Sequence, residues 1–345
     1  MEEYLGKLNP QIREYFNILS EEIPEFLLEY IKTPEMQRLD KISALVGNDY
    51  TKLFNVKFFY SSLSHSVGVA LIIWNFTKDK KQTLAGLFHD IASPAFRHCI
   101  DYLNGDYLVQ ESTQINTSEI IKNSREIMKL LERDNIKLEE VDDYTLYPIA
   151  DNSTPKLAAD RLEYTFSDIL TFINGWNLDE IREIYNDICV MKNEDNIEEL
   201  GFCNIKMAEK FVEGASLLWY SFQSNKDKLK SQFIADIIKK MNNKNLINKE
   251  DLYNKSEKEI VHMIENCEYK EISEAFKKFR KSDKIGEGEV KPENKYCVGL
   301  NIKRRYIVPL ASGKRINELS SKAKDIIEKV SNYNSPKYGW LDFDF

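Results

Sequence analysis

The sequence predicts a mostly α-helical protein with a small β element near its carboxyl end. Apolar residues recur at helical spacing in most segments between residues 21 and 278. The composition changes near Ser282, where KIGEGEVKPENKYCVGLNIKRRYIVPL is typical of a loop followed by one or two strands. Helical periodicity returns over residues 316–330. We therefore expect a helical domain over residues 1–280 and a strand-plus-helix segment, residues 281–345, that packs on the same unit.

The helices can be placed in order from their apolar faces and their start signals. The first long helical segment breaks at Thr33-Pro34, because a proline is well suited to the first turn of a new helix. A short helix is expected through Phe96 and Ile100, after the turn at Ser93-Pro94. The other helices that we expect cover residues 21–46, 64–77, 82–91, 119–131, 157–172, 178–191, 206–222, 227–241, 255–266 and 272–278.

Two of these helices bring three polar residues together. His65 lies in the first turn of the helix over residues 64–77, and His89-Asp90 lies in the last turn of the helix over residues 82–91. A short charged link joins the two helices, so they should run antiparallel, with the start of one beside the end of the other. We therefore expect His65 to lie near His89 and Asp90.

Composition limits the class of protein. The chain has 345 residues, of which 42% are hydrophobic and 30% charged, and its net charge of -8 gives no overall attraction to nucleic acid. The longest apolar run, VGVALIIW, is too short to span a bilayer, and the acidic start of the chain does not resemble a signal peptide. The five cysteines include no CxxC pair. We expect a cytoplasmic protein with reduced cysteines and without a membrane partner.

Four side chains form a plausible set of metal ligands. His65, His89, Asp90 and Asp160, the last in the first turns of the helix over residues 157–172, offer nitrogen and oxygen but no sulfur. This set suits one Mn, Fe, Mg, Zn or Co ion in an open site, and such an ion can bind a phosphate oxygen and activate water. We therefore predict a metal-dependent phosphohydrolase. The cations expected to help bind phosphate are Arg97, Arg161 and the cluster Lys303-Arg304-Arg305.

Each residue also has an ordinary structural explanation. A histidine on a helix is usually packed or exposed without a ligand, and His262 is expected to be structural. Asp160 would be favoured by the helix dipole near a helix start, and Lys303-Arg304-Arg305 would usually be solvated. The combination favours a site because each of the four candidate ligands lies in a distinctive local sequence.

These local sequences resemble the HD-domain phosphohydrolases, in particular the HD-type deoxynucleoside triphosphate triphosphohydrolases. The matching segments are TPEMQRLDKISALVG, SHSVGVA, LAGLFHDIASPAFRHCID, AADRLEYTFSD and NIKRRYIVPLASGKRINELS. The resemblance runs from about Ile31 to Leu319 and is weak in the middle. It implies a mostly helical fold, one divalent metal held by His65, His89, Asp90 and Asp160, a nucleotide or related phosphate ester as substrate, and assembly as a dimer or tetramer.

The resemblance also implies roles for other residues. Asp101 matches a carboxylate that orients a catalytic histidine, and Arg161, Tyr164 and Asp168 match positions near the phosphates or the sugar. The candidate catalytic residues are therefore Ser93, His98, Asp101 and Glu111. The candidate substrate-binding residues are Arg97, Gln110, Arg161, Tyr164 and Asp168.

The chain departs from the triphosphohydrolases that it resembles at three positions near the expected metal site. Those proteins usually have histidines where this chain has Ser93 and Gln110, and often an arginine where this chain has Ser62. Serine and glutamine donate hydrogen bonds but carry no charge. Three alternatives therefore stay open: a phosphatase for another phosphate ester, a regulatory protein that binds nucleotide or metal on the same scaffold, and nucleic-acid binding through Lys303-Arg304-Arg305.

Overall fold

The structure is a computed structural model that describes residues 2–108 and 116–345. Helices predominate, and the few strands are short, which confirms the predicted fold class. Before the gap in the described residues the helices are α1 (Glu2–Lys7), α2 (Pro10–Leu19), α3 (Glu25–Ile31), α4 (Pro34–Leu39), α5 (Ser62–Thr77), α6 (Lys80–Phe88) and α7 (Cys99–Leu103). After the gap they are α8 (Thr117–Asn123), α9 (Arg125–Arg133), α10 (Ala159–Thr171), α11 (Leu178–Asn186), α12 (Ile205–Gln223), α13 (Asn225–Asn243), α14 (Lys249–Asn254), α15 (Glu257–Glu265), α16 (Lys270–Lys281), α17 (Ile316–Leu319) and α18 (Ser321–Ser331).

The strands form two small sheets within the described residues. The strands are β1 (Ile188–Lys192), β2 (Glu198–Phe202), β3 (Gly286–Gly288), β4 (Cys297–Val298), β5 (Leu310–Ala311), β6 (Lys314–Arg315) and β7 (Tyr338–Trp340). One sheet has the order β1-β2-β5-β6, in which only the β2–β5 pair is parallel. The other has the order β3-β7-β4 and is antiparallel. The carboxyl-terminal part of the chain therefore supplies strands to both sheets.

The hairpin of β1 and β2 corrects two sequence-based expectations. The helix expected over residues 178–191 ends at Asn186, and a β-strand follows it. The hairpin also brings Cys189 and Cys203 together as a disulfide, with their Cα atoms 6.4 Å apart, which contradicts the expectation that all cysteines are reduced. The pairing was missed because 14 residues separate these cysteines in the sequence, and only the turn of the hairpin brings them side by side.

Helix α5 lies at the centre of the larger apolar core. Its residues 62–73 are all buried, and it packs along α6 in the antiparallel arrangement that the sequence predicts. Gly86 allows this close approach, because a Cβ at this position would lie 2.2 Å from Cδ1 of Ile73. The start of α5 and the end of α6 are therefore held together by packing.

A second apolar core is built from α13, the short helices that follow it, and the β3-β7-β4 sheet. Phe233 of α13 packs against Phe279 and against the aromatic tail residues Phe343 and Phe345. The loop before α7 joins this core through Phe96. Within the described residues, no helix combines the length and the apolar character needed to cross a membrane.

Candidate metal centre

His65 and His89 direct the same ring nitrogen toward one point. Ser61 caps α5, since its hydroxyl accepts a hydrogen bond from the Ser64 amide at 3.1 Å, and this places His65 in the first turn. His89 follows directly after α6 as its C-cap residue. The two Nε2 atoms lie 3.2 Å apart, and both side chains are buried. The structure thus brings together the two histidines that the sequence analysis paired.

Two carboxylates join these imidazoles. Asp90 Oδ2 lies 3.5 Å from Nε2 of His65 and 3.4 Å from Nε2 of His89. Asp160 Oδ1, at the start of α10, lies 3.3 Å and 3.7 Å from the same two atoms. Ligands that bind one ion at about 2.0–2.2 Å lie about 2.8–3.6 Å apart when their bond angles are near 90–110°. The ligand atoms of His65, His89 and Asp160 all lie within 4.8 Å of one another, which suits a shared divalent ion. Asp90 lies beside the same two imidazoles.

The outer nitrogen of each imidazole is already bonded. Nδ1 of His65 donates to the carboxylate of Glu163, and Nδ1 of His89 lies 2.7 Å from the carbonyl oxygen of Gly86. An imidazole that donates through Nδ1 keeps its lone pair on Nε2, which is the form that binds a metal. Both Nε2 atoms therefore face the common point between the carboxylates, where each offers a lone pair once its proton is lost.

The sequence analysis did not identify Glu163. This residue is fully buried, and Tyr60 donates to its Oε1 at 2.6 Å. Gly68 makes room for it, because a Cβ at that position would lie 2.7 Å from Oε1. Glu163 lies three residues after Asp160, so the two carboxylates share a face of α10. This spacing from Asp160 is the sequence feature that could have identified Glu163.

Burial and opposing charges shape the pKa values of the four candidate ligands. Burial alone would lower the pKa of His65, but the carboxylates of Glu163 and Asp160 raise it to about 10. The pKa of His89 is also raised, because the charge of Asp90 outweighs burial. Burial would raise the pKa of Asp90 and Asp160, yet nearby cationic groups hold both below the ordinary value. Without an ion, protonated imidazoles therefore neutralise the negative charge of the carboxylates.

Arg97 borders the metal centre from the loop between α6 and α7. One of its terminal nitrogens donates to Oδ2 of Asp90, and the side chain is buried. Phe96 and Arg97 both adopt positive φ, at 64° and 45°, in which non-glycine residues are uncommon. This backbone turn directs the guanidinium back toward Asp90. The cation therefore lies beside the centre, paired with one of its carboxylates.

His98 and Asp101 form a hydrogen-bonded pair next to the centre. Nδ1 of His98 lies 2.9 Å from Oδ2 of Asp101, and Asp101 is fully buried. Burial lowers the pKa of His98 despite the neighbouring carboxylate, so the neutral imidazole is favoured. With Nδ1 committed to Asp101, Nε2 is the nitrogen that can accept a proton.

A cavity with about 120 Å³ of space for water opens over the four candidate ligands. Its walls include Arg97, His98, Tyr164 and Asp168, which are all candidate residues of the sequence analysis. Burial and Glu163 raise the pKa of Asp168 to about 8, so this carboxyl group holds a proton at neutral pH. Lining residues that the sequence analysis did not identify include Asn48, Tyr144, Phe222, Asp227 and Lys230.

Of the basic cluster near the carboxyl end, only two members line the cavity. Lys303 and Arg305 do so, whereas Arg304 donates to the carbonyl oxygens of Ser331 and Tyr333 at 2.6 Å and 2.9 Å. Alternate residues of this extended segment thus face opposite sides. A cationic wall of two residues results, instead of the solvated face that is usual for such clusters.

Two other predicted residues lie outside the cavity. The guanidinium of Arg161 donates to the carbonyl oxygen of Lys156 at 2.7 Å, to Oδ1 of Asp151 at 2.8 Å and to Asn152. It therefore stabilises the loop over residues 151–156. Ser93 is buried but is absent from the cavity lining. Gln110 and Glu111 lie outside the described residues.

Comparison with known proteins gives two distant similarities, and no family model matches the chain. An uncharacterized protein of Bacillus subtilis, YdhJ, is 25% identical over 248 residues, which cover 71% of this chain and 73% of that protein. The metal-dependent phosphohydrolase cns2 of Cordyceps militaris is 25% identical over 146 residues, which cover 42% of this chain and 41% of that protein. The chain is thus distantly similar to a metal-dependent phosphohydrolase, and it carries a His-His-Asp group able to hold a metal ion.

Proposed function

We propose that this protein is a metal-dependent phosphohydrolase that uses one divalent ion to hydrolyse a nucleotide phosphate. The observation that carries the proposal is the convergence of two imidazole Nε2 atoms and two carboxylate oxygens at 3.2–3.7 Å. A mixed nitrogen and oxygen set without cysteine is typical of a catalytic site with open positions, not of a closed structural zinc site. The distant similarity to cns2 supports the same reaction class.

A divalent ion bound there would polarise a phosphate oxygen and lower the pKa of a bound water. His65, His89, Asp90 and Asp160 would hold that ion. The carboxylates remain ionised at neutral pH, since their pKa values lie below the ordinary range. Glu163 would keep the His65 ring in the metal-binding form.

Arg97 and His98 are the side chains that would act on the phosphate group. Arg97 would turn part of its guanidinium toward a bound phosphate oxygen, because charge-assisted bonds to phosphate are about twice as strong as neutral ones. Neutral His98, oriented by Asp101, would accept a proton at Nε2 from the attacking water and return it to the leaving group. Since Ser93 lies outside the cavity, His98 is the better candidate for this step.

The walls of the cavity support a nucleotide as the substrate class. Lys303 and Arg305 provide positive charge for phosphates, and Tyr144, Tyr164 and Phe222 provide aromatic surface for a sugar or base. A (deoxy)nucleoside triphosphate is the first candidate. Because Arg161 is occupied elsewhere, release of intact triphosphate has less support than removal of a single phosphate.

The experiment is a nucleotide panel with defined metal loading. Purified protein is loaded with Mn²⁺, Fe²⁺, Mg²⁺, Zn²⁺ or Co²⁺ and offered nucleoside mono-, di- and triphosphates and simple phosphate esters, with product identification. We expect metal-dependent release of phosphate from at least one nucleotide, and equal activity in His262→Ala, which changes an exposed histidine outside the centre. Turnover of simple esters alone would identify a phosphatase of another class. Tight nucleotide binding without hydrolysis by any metal form would favour a regulatory protein.

Assembly as a dimer or tetramer and a cytoplasmic location belong to the same proposal. Both rest on the family resemblance and on composition. Size-exclusion chromatography with light scattering tests the assembly directly, and a monomer with full activity would remove that part of the proposal.

A further inference from the structure

The loop between α6 and α7 carries Arg97 and is fastened at its first half by Arg38. One terminal nitrogen of Arg38 donates to the carbonyl oxygens of Ile91 at 2.9 Å and Ser93 at 2.8 Å. Arg38 belongs to α4, which precedes the histidine helices in the chain. The entry to the loop is therefore held by the same helical core that holds the candidate ligands.

The second half of the loop is fastened by a different part of the chain. The amide of Ala95 donates to the carbonyl oxygen of Leu252 at 2.8 Å, and the amide of Phe96 donates to Oε1 of Glu257 at 2.8 Å. Leu252 lies in α14, and Glu257 is the first residue of α15. Glu257 is almost completely buried and is absent from the lining of the cavity. A carboxyl group remote in sequence thus bonds the loop just before Arg97.

The backbone conformation explains why this bond matters. Phe96 and Arg97 are consecutive non-glycine residues with positive φ, and such conformations are disfavoured unless the surroundings hold them. The Phe96 amide is bonded in that turn by Glu257. Without the bond the turn could relax to ordinary φ values, and the Arg97 side chain would leave Asp90.

We propose that Glu257 is a positioning residue, which holds the turn at Phe96-Arg97 so that Arg97 reaches Asp90 and the phosphate site. The inference rests on the proposed function for its effect on turnover. The bond between Glu257 and the loop stands without it. It assigns a role in the site to α14 and α15, which otherwise only complete the second apolar core.

The surroundings of Glu257 suit an uncharged carboxyl group. Burial and the neighbouring Asp49 raise the pKa of Glu257 to about 8. A protonated carboxyl keeps a carbonyl-type oxygen that accepts from the Phe96 amide, and it avoids the penalty of a buried charge. Glutamine at this position would keep the acceptor, whereas leucine would remove it.

The test combines hydrogen exchange with a double-mutant cycle. Glu257→Leu and Glu257→Gln are made alone and together with Arg97→Ala, and folding is checked by circular dichroism. Glu199→Leu, which removes another fully buried carboxylate, one that is paired with Arg315, is the control for general loss of stability. In Glu257→Leu we expect faster amide exchange at Phe96 and a loss of kcat of about 10- to 100-fold, the scale of a misplaced catalytic group. Glu257→Gln should keep the amide exchange at Phe96 and the kcat close to those of the unmodified protein.

The cycle separates positioning from general loss of stability. In the Arg97→Ala background, Glu257→Leu should lower kcat less than about twofold, because the residue on which it acts is already gone. Equal losses in both backgrounds, or the same loss in Glu199→Leu, would overturn the proposal. If Glu257→Leu does not fold, amide hydrogen exchange in the unmodified protein still tests the proposal. Rapid exchange at the Phe96 amide would mean that its bond to Glu257 is absent. If the unmodified protein shows no turnover, the proposed function fails while the exchange result stands by itself.

Discussion

The carboxylate of Glu163 accepts a hydrogen bond from Nδ1 of His65, on the side of the ring opposite the Nε2 atom that faces His89. This bond fixes which nitrogen of His65 faces the other candidate ligands. Tyr60 and the space left by Gly68 hold the carboxylate in place. The geometry of the centre thus depends on a residue that would not itself touch the ion.

Replacing Glu163 by glutamine should weaken metal binding without unfolding the protein. Glutamine has nearly the same shape, but it lacks the charge that makes the His65 ring a stronger donor. Loss of such a partner typically lowers metal affinity by about 10- to 100-fold. Isothermal titration with Mn²⁺ measures the change, and Glu199→Gln is the control because Glu199 is equally buried. Unchanged affinity in Glu163→Gln would show that Glu163 only fills the core.

His89→Ala and Asp90→Ala should each abolish activity while the helices survive. Both residues lie after the last residue of α6, so their side chains do not build that helix. Phosphate release and circular dichroism measure the two effects in parallel, and His262→Ala should match the unmodified protein in both. Full activity in either variant would remove that residue from the site.

Metal affinity should rise with pH through the neutral range. Metal binding requires a lone pair on Nε2, yet the pKa of His65 is raised to about 10 and that of His89 is also raised. At pH 7 the metal-free centre therefore holds protons that an ion must displace. Calorimetry in buffers with different ionisation enthalpies should show release of at least one proton per ion. Affinity that is independent of pH between 6 and 8, without proton release, would contradict the pKa shifts.

Glu257→Gln should make the protein relatively more stable at alkaline pH. The pKa of Glu257 is raised in the folded state to about 8, from a value of 4.5. A carboxyl with a raised folded-state pKa contributes stability that is fully present below pH 4.5 and is lost as pH rises through about 8. Glutamine does not titrate, so the difference in thermal midpoint between variant and unmodified protein should grow over this window. A constant difference would mean that Glu257 is ionised throughout.

Periodicity and chain order were enough to predict the helices around the site. The short link between α5 and α6 made them antiparallel neighbours, and this alone placed His65 beside His89 and Asp90. The strand pair β1-β2 was missed because the short segment ICVMK follows a helix without a strong break. Its pairing depends on tertiary contacts that periodicity does not record.

The remaining parts of the site depend on how distant segments pack. Glu163 had a signal in its spacing from Asp160, but nothing in the sequence marks Lys230 or Glu257 as neighbours of the cavity or its loop. Arg161, in contrast, matched a family position near the phosphates or the sugar. In the structure its guanidinium instead bonds to the carbonyl oxygen of Lys156 and to Asp151. Local sequence thus indicated which residues converge at the candidate centre better than it indicated the cations around them.

The number of ions held per chain tests the central claim most directly. Protein loaded with Mn²⁺ and then dialysed is analysed for metal, beside His65→Ala and Asp160→Ala prepared in the same way. We predict one ion per chain in the unmodified protein and almost none in either variant. No retained metal in the unmodified protein, or an equal content in the variants, would contradict the convergence of these four side chains on one ion.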